Sequence, residues 1–448
     1  MESVAPKAAQ ATTPARFAQP ASPPAPRRAG LVLAVLCFVY VLNFLDRQLF
    51  SILAKPIQDS LHISDGALGL IGGLYFAVFY CFISLPVGWI ADRSNRVLVL
   101  SLACAIWSGA TMACGVAANY PQLAAARMTV GFGEAGGVPP SYALISDYFP
   151  SGRRGTALGI YNLGPPIGAM LGIAFGASLA AMYSWRMAFV VLGAVGLVAA
   201  VLIRVLVREP LRGGLDADSV RTQARLESGL ASFKDTIVMF FSRPTLVLAA
   251  FASGVTQIVT YGAGNFTTLL LMREKAMTLH EVAVYSSLVV GIAMSAGIFV
   301  SGHVVDRLTR RSKRAYALVP AASLSLAILP YLGFVWAPSW QLALVFLAGP
   351  FFLNYFYLSS SVTLVQEEVR PDQRVMSGAL LLLVMNLIGM GVGPTFVGQM
   401  SDYFHAAHPH HSLSLAFYSL VPFYVLAILL FLWLARVLGK EQTKEGLS

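Results

Sequence analysis

The sequence predicts an all-α polytopic membrane protein, with twelve transmembrane helices in two pseudo-symmetric six-helix bundles. Three observations carry that prediction. Apolar runs recur from residue 31 to about residue 437, and one span needs about 20 apolar residues. Charge is scarce: 12% of the 448 residues are charged and 57% are hydrophobic, with a mean hydropathy of +0.69, whereas a soluble domain is about 25% charged. Finally, short motifs of the first half return in the same order in the second.

Residues 1–26 are rich in Ala and Pro and lack apolar periodicity, so they read as a disordered cytoplasmic tail. Arg27 and Arg28 before the apolar run from Leu31 imitate a signal peptide. No small-residue cleavage site follows, and the run continues to Ile52, which makes it a retained first span. Spans are expected at 29–53, 66–91, 97–117, 120–148, 154–181, 185–207, 240–272, 281–305, 314–335, 339–366, 374–401 and 412–437. The largest polar gap divides two six-span bundles, 27–208 and 240–438, and makes 209–239 a cytoplasmic linker. Residues 439–448 form a second tail.

Orientation follows from the basic residues. Of 31 lysines and arginines, only Arg47 and Arg127 lie inside spans. Lys55, Arg186, Arg273 and Lys275 fall on one set of loops. All the others fall on the tails, the opposite loops or the adjoining span ends. The positive-inside rule then places both termini in the cytoplasm, at the inner membrane if the cell is bacterial. The same rule accounts for the net charge of +10 without nucleic acid as a partner. Cys37, Cys81, Cys104 and Cys114 lie in apolar stretches without metal spacing and read as packing residues.

The repeats are specific. Gly88-Trp-Ile-Ala-Asp92-Arg93-Ser-Asn-Arg96 ends span two, and Gly302-His-Val-Val-Asp306-Arg307-Leu-Thr-Arg310-Arg311 ends span eight. Both follow G-x-x-x-D-R-x-x-R. Pro150-Ser-Gly-Arg153 and Pro371-Asp-Gln-Arg374 follow spans four and ten. Gly164-Pro165 and Gly393-Pro394 mark spans five and eleven. Duplicated six-span halves suit a transporter that rocks around a midplane site.

With these motifs the chain resembles the major facilitator superfamily over about residues 29–437. The first loop departs at Asn95, where glycine is usual, and at Val97, where a second basic residue often sits. Trp185-Arg186-x-x-Phe189 also resembles the superfamily. A closer resemblance is to the spinster group of lipid transporters, in its prokaryotic type. It rests on Asn43-Phe44-Leu45-Asp46-Arg47, on Arg127-x-x-x-Gly131-x-Gly133-Glu134-Ala135 and on Asp147-Tyr148-Phe149-Pro150. The superfamily resemblance implies that Gly88, Asp92, Arg93 and Arg96, with Gly302, Asp306, Arg307 and Arg310, gate the cytoplasmic side. The spinster resemblance implies lysolipids or phosphorylated sphingoid bases as substrates.

Four charged residues lie well inside spans: Asp46, Arg47, Arg127 and Glu134. A charge at a helix centre costs about 2.5–3.5 kcal/mol on insertion scales, so such groups pair or face a cavity. Arg127 and Glu134 are two turns apart on one face of span four. Asp46 and Arg127 are expected at similar depth, with Glu134 near the midplane. Arg47 and Arg127 are candidate anchors for an anionic head group, because guanidinium stays charged and binds bidentately. Asp46, then Glu134, are candidate proton-responsive groups, since burial and a neighbouring arginine act on a carboxyl in opposite senses. The alternative for all four is a fixed structural charge cluster.

The second half offers uncharged groups instead: Tyr261, Asn265, Asn354, Tyr355 and Tyr357, set among aliphatic and aromatic neighbours. A charged wall facing an apolar one suits an amphiphile moved by alternating access, with protons as the coupled ion. Another organic anion or a drug on the same scaffold, or uniport without protons, is the alternative. Gly131-Phe-Gly133-Glu-Ala-Gly136 matches a dinucleotide-binding pattern but has no preceding strand. His405, His408, His410 and His411 read as a solvated loop rather than a metal site. No nucleotide-hydrolysis or hydrolase motif is visible. The expectation is therefore a transporter without metal or cofactor, functional as a monomer among membrane lipids.

Overall fold

The computed structural model describes residues 28–210, 234–370 and 373–445. The expected tail at 1–26 and the centre of the expected linker lie outside them.

Helices fill almost every expected span. Span one is Ala29–Ile52, followed by a short connecting helix, Ala54–Leu61. Span two starts as Asp65–Leu70, where the Ser64 hydroxyl accepts from Ala67 N. It passes through a π-helical turn, Ile71–Tyr75, into Phe76–Arg93. Spans three and six are the uninterrupted helices Arg96–Val116 and Trp185–Leu206. Span five runs as Ser151–Tyr161 and Gly164–Met182. Span seven is Pro244–Glu274. Span eight opens on a Thr278–Glu281 capping box, makes a π-helical turn at Val282–Ser286 and continues as Ser287–Thr309. Span nine is Ala315–Trp336. Span ten runs as Trp340–Leu353 and Phe356–Glu368. Span eleven is Arg374–His405, and span twelve is Ser412–Tyr418 and Val421–Glu445.

Span four corrects the sequence expectation of one continuous helix. Among the described residues, eleven helices are long and apolar enough to cross a membrane. The twelfth segment is interrupted, running as Tyr120–Glu134 and Val138–Tyr148. The cause is local. Gly136 and Gly137 weaken the helix, and Pro139 and Pro140 lack the N–H groups that would continue it, so they fit only at the start of a new helix.

The pseudo-symmetry extends to two of these irregularities, though not to the breaks in spans five and twelve. Spans two and eight both carry a π-helical turn near their starts. Spans four and ten both break, at 135–137 and at 354–355. Gly/Pro-interrupted helices at matching positions of two repeats are the best structural pointer to a transporter's binding site.

The hydrogen bonds that join the two halves among the described residues cluster at the end away from the termini. There Asp65 meets Arg273 and Ser401, Ser51 meets Asn265, and Thr395 meets Gly69 and Leu74. Backbones touch directly at this seam: a Cβ on Gly398 would sit 2.3 Å from the Asp65 carbonyl oxygen. Among the described residues, the molecule is thus held shut at that end.

Candidate functional site

The site starts from two adjacent residues of span one. Consecutive residues project about 100° apart on a helix, so Asp46 and Arg47 reach different partners. Asp46 is 2% exposed and pairs with Arg127, 3% exposed, at 3.8 Å between Oδ1 and Nη1. That separation is a charge contact, not a hydrogen bond. The Thr111 hydroxyl donates to Asp46 Oδ2 at 2.8 Å. Arg47 donates through Nε to Glu134 Oε2 at 2.6 Å, a charge-assisted bond of the stronger kind. The two pairs carry no net charge.

Aromatic rings line both guanidinium groups. The Arg47 Cζ lies 5.0 Å from the Phe44 ring centre and 4.6 Å from that of Tyr80. Phe76 lies between the arginines, 5.4 Å from Arg47 Cζ and 5.3 Å from Arg127 Cζ. Phe50 lies 5.1 Å from Arg127. Such contacts are worth about 0.5–2 kcal/mol each as they become desolvated. The cluster also retains binding capacity. Among the described residues, Arg127 Nε and Nη1, Asp46 Oδ1 and Glu134 Oε1 are buried without a hydrogen-bond partner.

Glu134 is the last helical residue before the break in span four. The Gly131-x-Gly133 pattern just before it serves close packing, as a Cβ on Gly133 would lie 2.6 Å from Trp107 N. In span ten the matching break consists of Asn354 and Tyr355 themselves.

The second-half residues separate by role. Asn265 accepts from Ser51 across the halves at 3.0 Å and donates to its own helix at the Tyr261 carbonyl. Asn354 and Tyr424 bond reciprocally at 2.8 and 3.1 Å. Tyr357 is buried, while Tyr261 and Tyr355 are half-buried. Asn354 and Tyr355 border a small, half-open cavity of about 20 Å³ between spans seven, nine and ten.

The expected gating residues lie at the end that carries the termini. Arg93 is exposed and stacks over Trp89 at 4.2 Å. Arg96 pairs with Asp147 within the first half. Asp306, Arg307 and Arg310 are exposed, and a Cβ on Gly302 would meet nothing within 4 Å. The side chain of Asp92 lies outside the described residues. The structure brings the four buried charges together.

Sequence reading missed the seam at the opposite end. Arg273 grips Asp65 with two bonds, Nη1 to Oδ2 at 2.7 Å and Nη2 to Oδ1 at 2.6 Å. Gln58 and Ser401 each donate to Asp65 at 2.6 Å. Asp402 accepts from Asp65 N and Gly66 N at 3.0 and 2.9 Å, capping span two from the other half. The available signal was Arg273 itself, a basic residue on the side where basic residues are scarce.

Two six-span halves, closed at one end over buried ion pairs beside matched helix breaks, define a membrane transport protein. Residues 36–394 match the sequence profile of the Major Facilitator Superfamily, and the chain belongs to that superfamily. It is a transporter and not an enzyme. It is 31% identical to an MFS-type efflux pump of Mycolicibacterium smegmatis (strain ATCC 700084 / mc(2)155) over 84% of this chain and 85% of the pump. It is 26% identical to human Protein spinster homolog 1 over 87% of this chain and 76% of that protein. Among solved structures it superposes with a TM-score of 0.84 on a bacterial homologue of the human lysosomal transporter Spinster, in an inward-facing and unoccupied conformation. Identity there is 28%, covering 93% of this chain and 99% of that one.

Proposed function

We propose that this transporter carries an amphiphile with an anionic head, a lysolipid or phosphorylated sphingoid-type molecule, by proton-coupled alternating access. The observation that supports this most is the asymmetry of the site. The first half supplies two arginines in an aromatic cluster with unengaged donors, and the second half supplies an apolar wall. Likeness to spinster proteins agrees with it. Both termini are cytoplasmic in this reading, so the seam closes the outer end and the structure faces inward. Accessibility labelling should then place residues 225 and 440 on the cytoplasmic side. Labelling of the two from opposite sides overturns the topology.

Arg47 and Arg127 hold the head group, and Asp46 and Glu134 compete for them. A carboxylate displaced from its arginine by the substrate anion sits buried without its counter-charge and takes a proton. Substrate, proton and conformation are thereby linked through one pair of cations. The fixed-cluster alternative predicts no such linkage.

The test is flux in proteoliposomes, with lysolipids and small organic anions, with and without a pH gradient. Lysolipid flux driven by the gradient is expected. Asp46→Asn should abolish the gradient's effect while leaving substrate binding measurable. Gradient-driven flux at the normal rate in both Asp46→Asn and Glu134→Gln overturns proton coupling through these residues. The likeness to an efflux pump favours one other reading, export of a drug-like molecule. Flux of hydrophobic drugs without lysolipid flux selects it.

A further inference from the structure

Asp46 has a second face, turned to a small cavity between spans one, three and six. We propose that this cavity binds a single water molecule between Asp46 Oδ1 and Ser108 Oγ, and that the water keeps Asp46 satisfied both with and without its proton. The proposal rests on the reading of Asp46 as a proton-responsive group and deepens it.

The size fits one water. The cavity holds about 10 Å³, near the roughly 10–15 Å³ that a water needs, and it is half-open rather than sealed. Among the described residues its wall comes from Asp46 on span one, from Ser108 and Thr111 on span three, and from Gly193 and Gly196 on span six, with apolar neighbours. Ser108 and Thr111 are three residues apart and share a face. The glycines bring span six close, since a Cβ on Gly196 would collide with the Ser108 hydroxyl. Two polar atoms are left over there. Asp46 Oδ1 and Ser108 Oγ are buried without a hydrogen-bond partner, on residues 2% and 1% exposed. The Cys104 thiol lies beside Ser108 but donates to the Gly196 carbonyl at 3.5 Å. One bridging water satisfies both leftover atoms.

The chemistry fits a group that changes charge. Four titratable or charged groups face Asp46: Arg127 and Glu134 of span four, Arg47 of its own span and Cys114 of span three. The two arginines can only donate, which suits a carboxylate and not the hydroxyl of a carboxylic acid. Thr111 is different. Its hydroxyl lies 2.8 Å from Asp46 Oδ2 and 2.9 Å from the Trp107 carbonyl oxygen. Its one hydrogen can go to the carboxylate, or to the carbonyl while the hydroxyl oxygen accepts from the acid. A water at Oδ1 reverses in the same way, with Ser108 as its other partner. Each oxygen of Asp46 thus has a partner that serves in both charge states. A permanent ion pair needs donors alone.

The experiment is infrared difference spectroscopy of the full-length protein in lipid vesicles, between high and low pH, in ordinary and in heavy-oxygen water. Low pH should bring up a carboxylic-acid carbonyl band that Asp46→Asn removes. With it should come an O–H band of bound water that shifts in heavy-oxygen water. Ser108→Ala leaves Oδ1 without its water, so it should lose the water band and slow gradient-driven lysolipid flux about tenfold. Ser108→Gly removes the hydroxyl but makes room for a second water in its place, and should recover the band and most of the flux. Were Ser108 only a packing residue, alanine, the better helix former, would be the milder change. A water band that is missing in the unmodified protein, or unaltered in Ser108→Ala, overturns the water site and leaves the proton role of Asp46 standing. Better flux in Ser108→Ala than in Ser108→Gly also overturns it. Absence of an Asp46-dependent acid band at every pH overturns both the site and the reading beneath it.

Discussion

Arg47→Ala should stop transport of an anionic amphiphile and also destabilise the fold, and the two effects should be separable. The Arg47 side chain is 13% exposed and that of Glu134 is 0% exposed. Removing the arginine leaves Glu134 buried without its counter-charge, and breaking one side of a buried pair costs about 3–5 kcal/mol. Glu134→Gln removes the orphaned charge. Arg47→Ala with Glu134→Gln should therefore recover most of the lost thermal stability, measured on the purified protein. Transport should not return, because one of the two guanidinium groups that hold the head group is gone. Arg47→Lys keeps a charge but loses the planar fork and its fit among Phe44, Phe76 and Tyr80. It should fold normally and transport at least tenfold more slowly. Full flux in the stable double variant would show that Arg47 only neutralises Glu134.

Much of this site is legible from spacing alone. Four charges in a chain with almost none elsewhere inside its spans must find each other or water. The two-turn interval between Arg127 and Glu134 puts both on one face of span four. The structure pairs Asp46 with Arg127, which the spacing puts at similar depth, and Arg47 with Glu134, which it does not. What spacing cannot supply is the packing around them. Thr111 and the rings of Phe50, Phe76 and Tyr80 come from other turns and other spans, and nothing in their local sequence marks them out from ordinary apolar helix. The break in span four was legible in its glycines and prolines, yet the apolar run around it reads as one helix. The matching break in span ten carries a weaker signal. Pro350 lies inside its first helix, and the break comes only after it, at Asn354 and Tyr355.

The seam at the far end has a different lesson, because it depends on one conformation. Asp65 and Gln58 come from the first half and Arg273, Ser401 and Asp402 from the second, and they meet across the seam. No intra-half pattern selects for them, so a sequence repeat cannot reveal them. Their contacts nevertheless set the balance between states, since a ligand or mutation shifts an equilibrium only through contacts that differ between its two sides.

Arg273→Ala should accordingly move the resting population toward the state open at this end. Asp65 is enclosed: its carboxylate accepts two bonds from Arg273 and one each from Gln58 and Ser401. The side chains are 5% exposed for Asp65 and 21% for Arg273, so bulk salt screens the pair less than it does a surface pair. Loss of the arginine leaves the carboxylate unpaired in the closed form, while the open form hydrates it. A difference of about 3 kcal/mol is within the range for breaking such a pair and changes the ratio of states by about a hundredfold. Asp65→Asn should shift the balance less, because an amide still accepts from Arg273 and Ser401. Spin labels across the seam, one near residue 61 and one near residue 408, report the ratio as a distance distribution. The short distance should dominate in the unmodified protein and the long one in Arg273→Ala, at low and at moderate salt alike. Distributions that coincide for the two proteins would show that Asp402 capping and the glycine contacts hold the end shut without the ion pair.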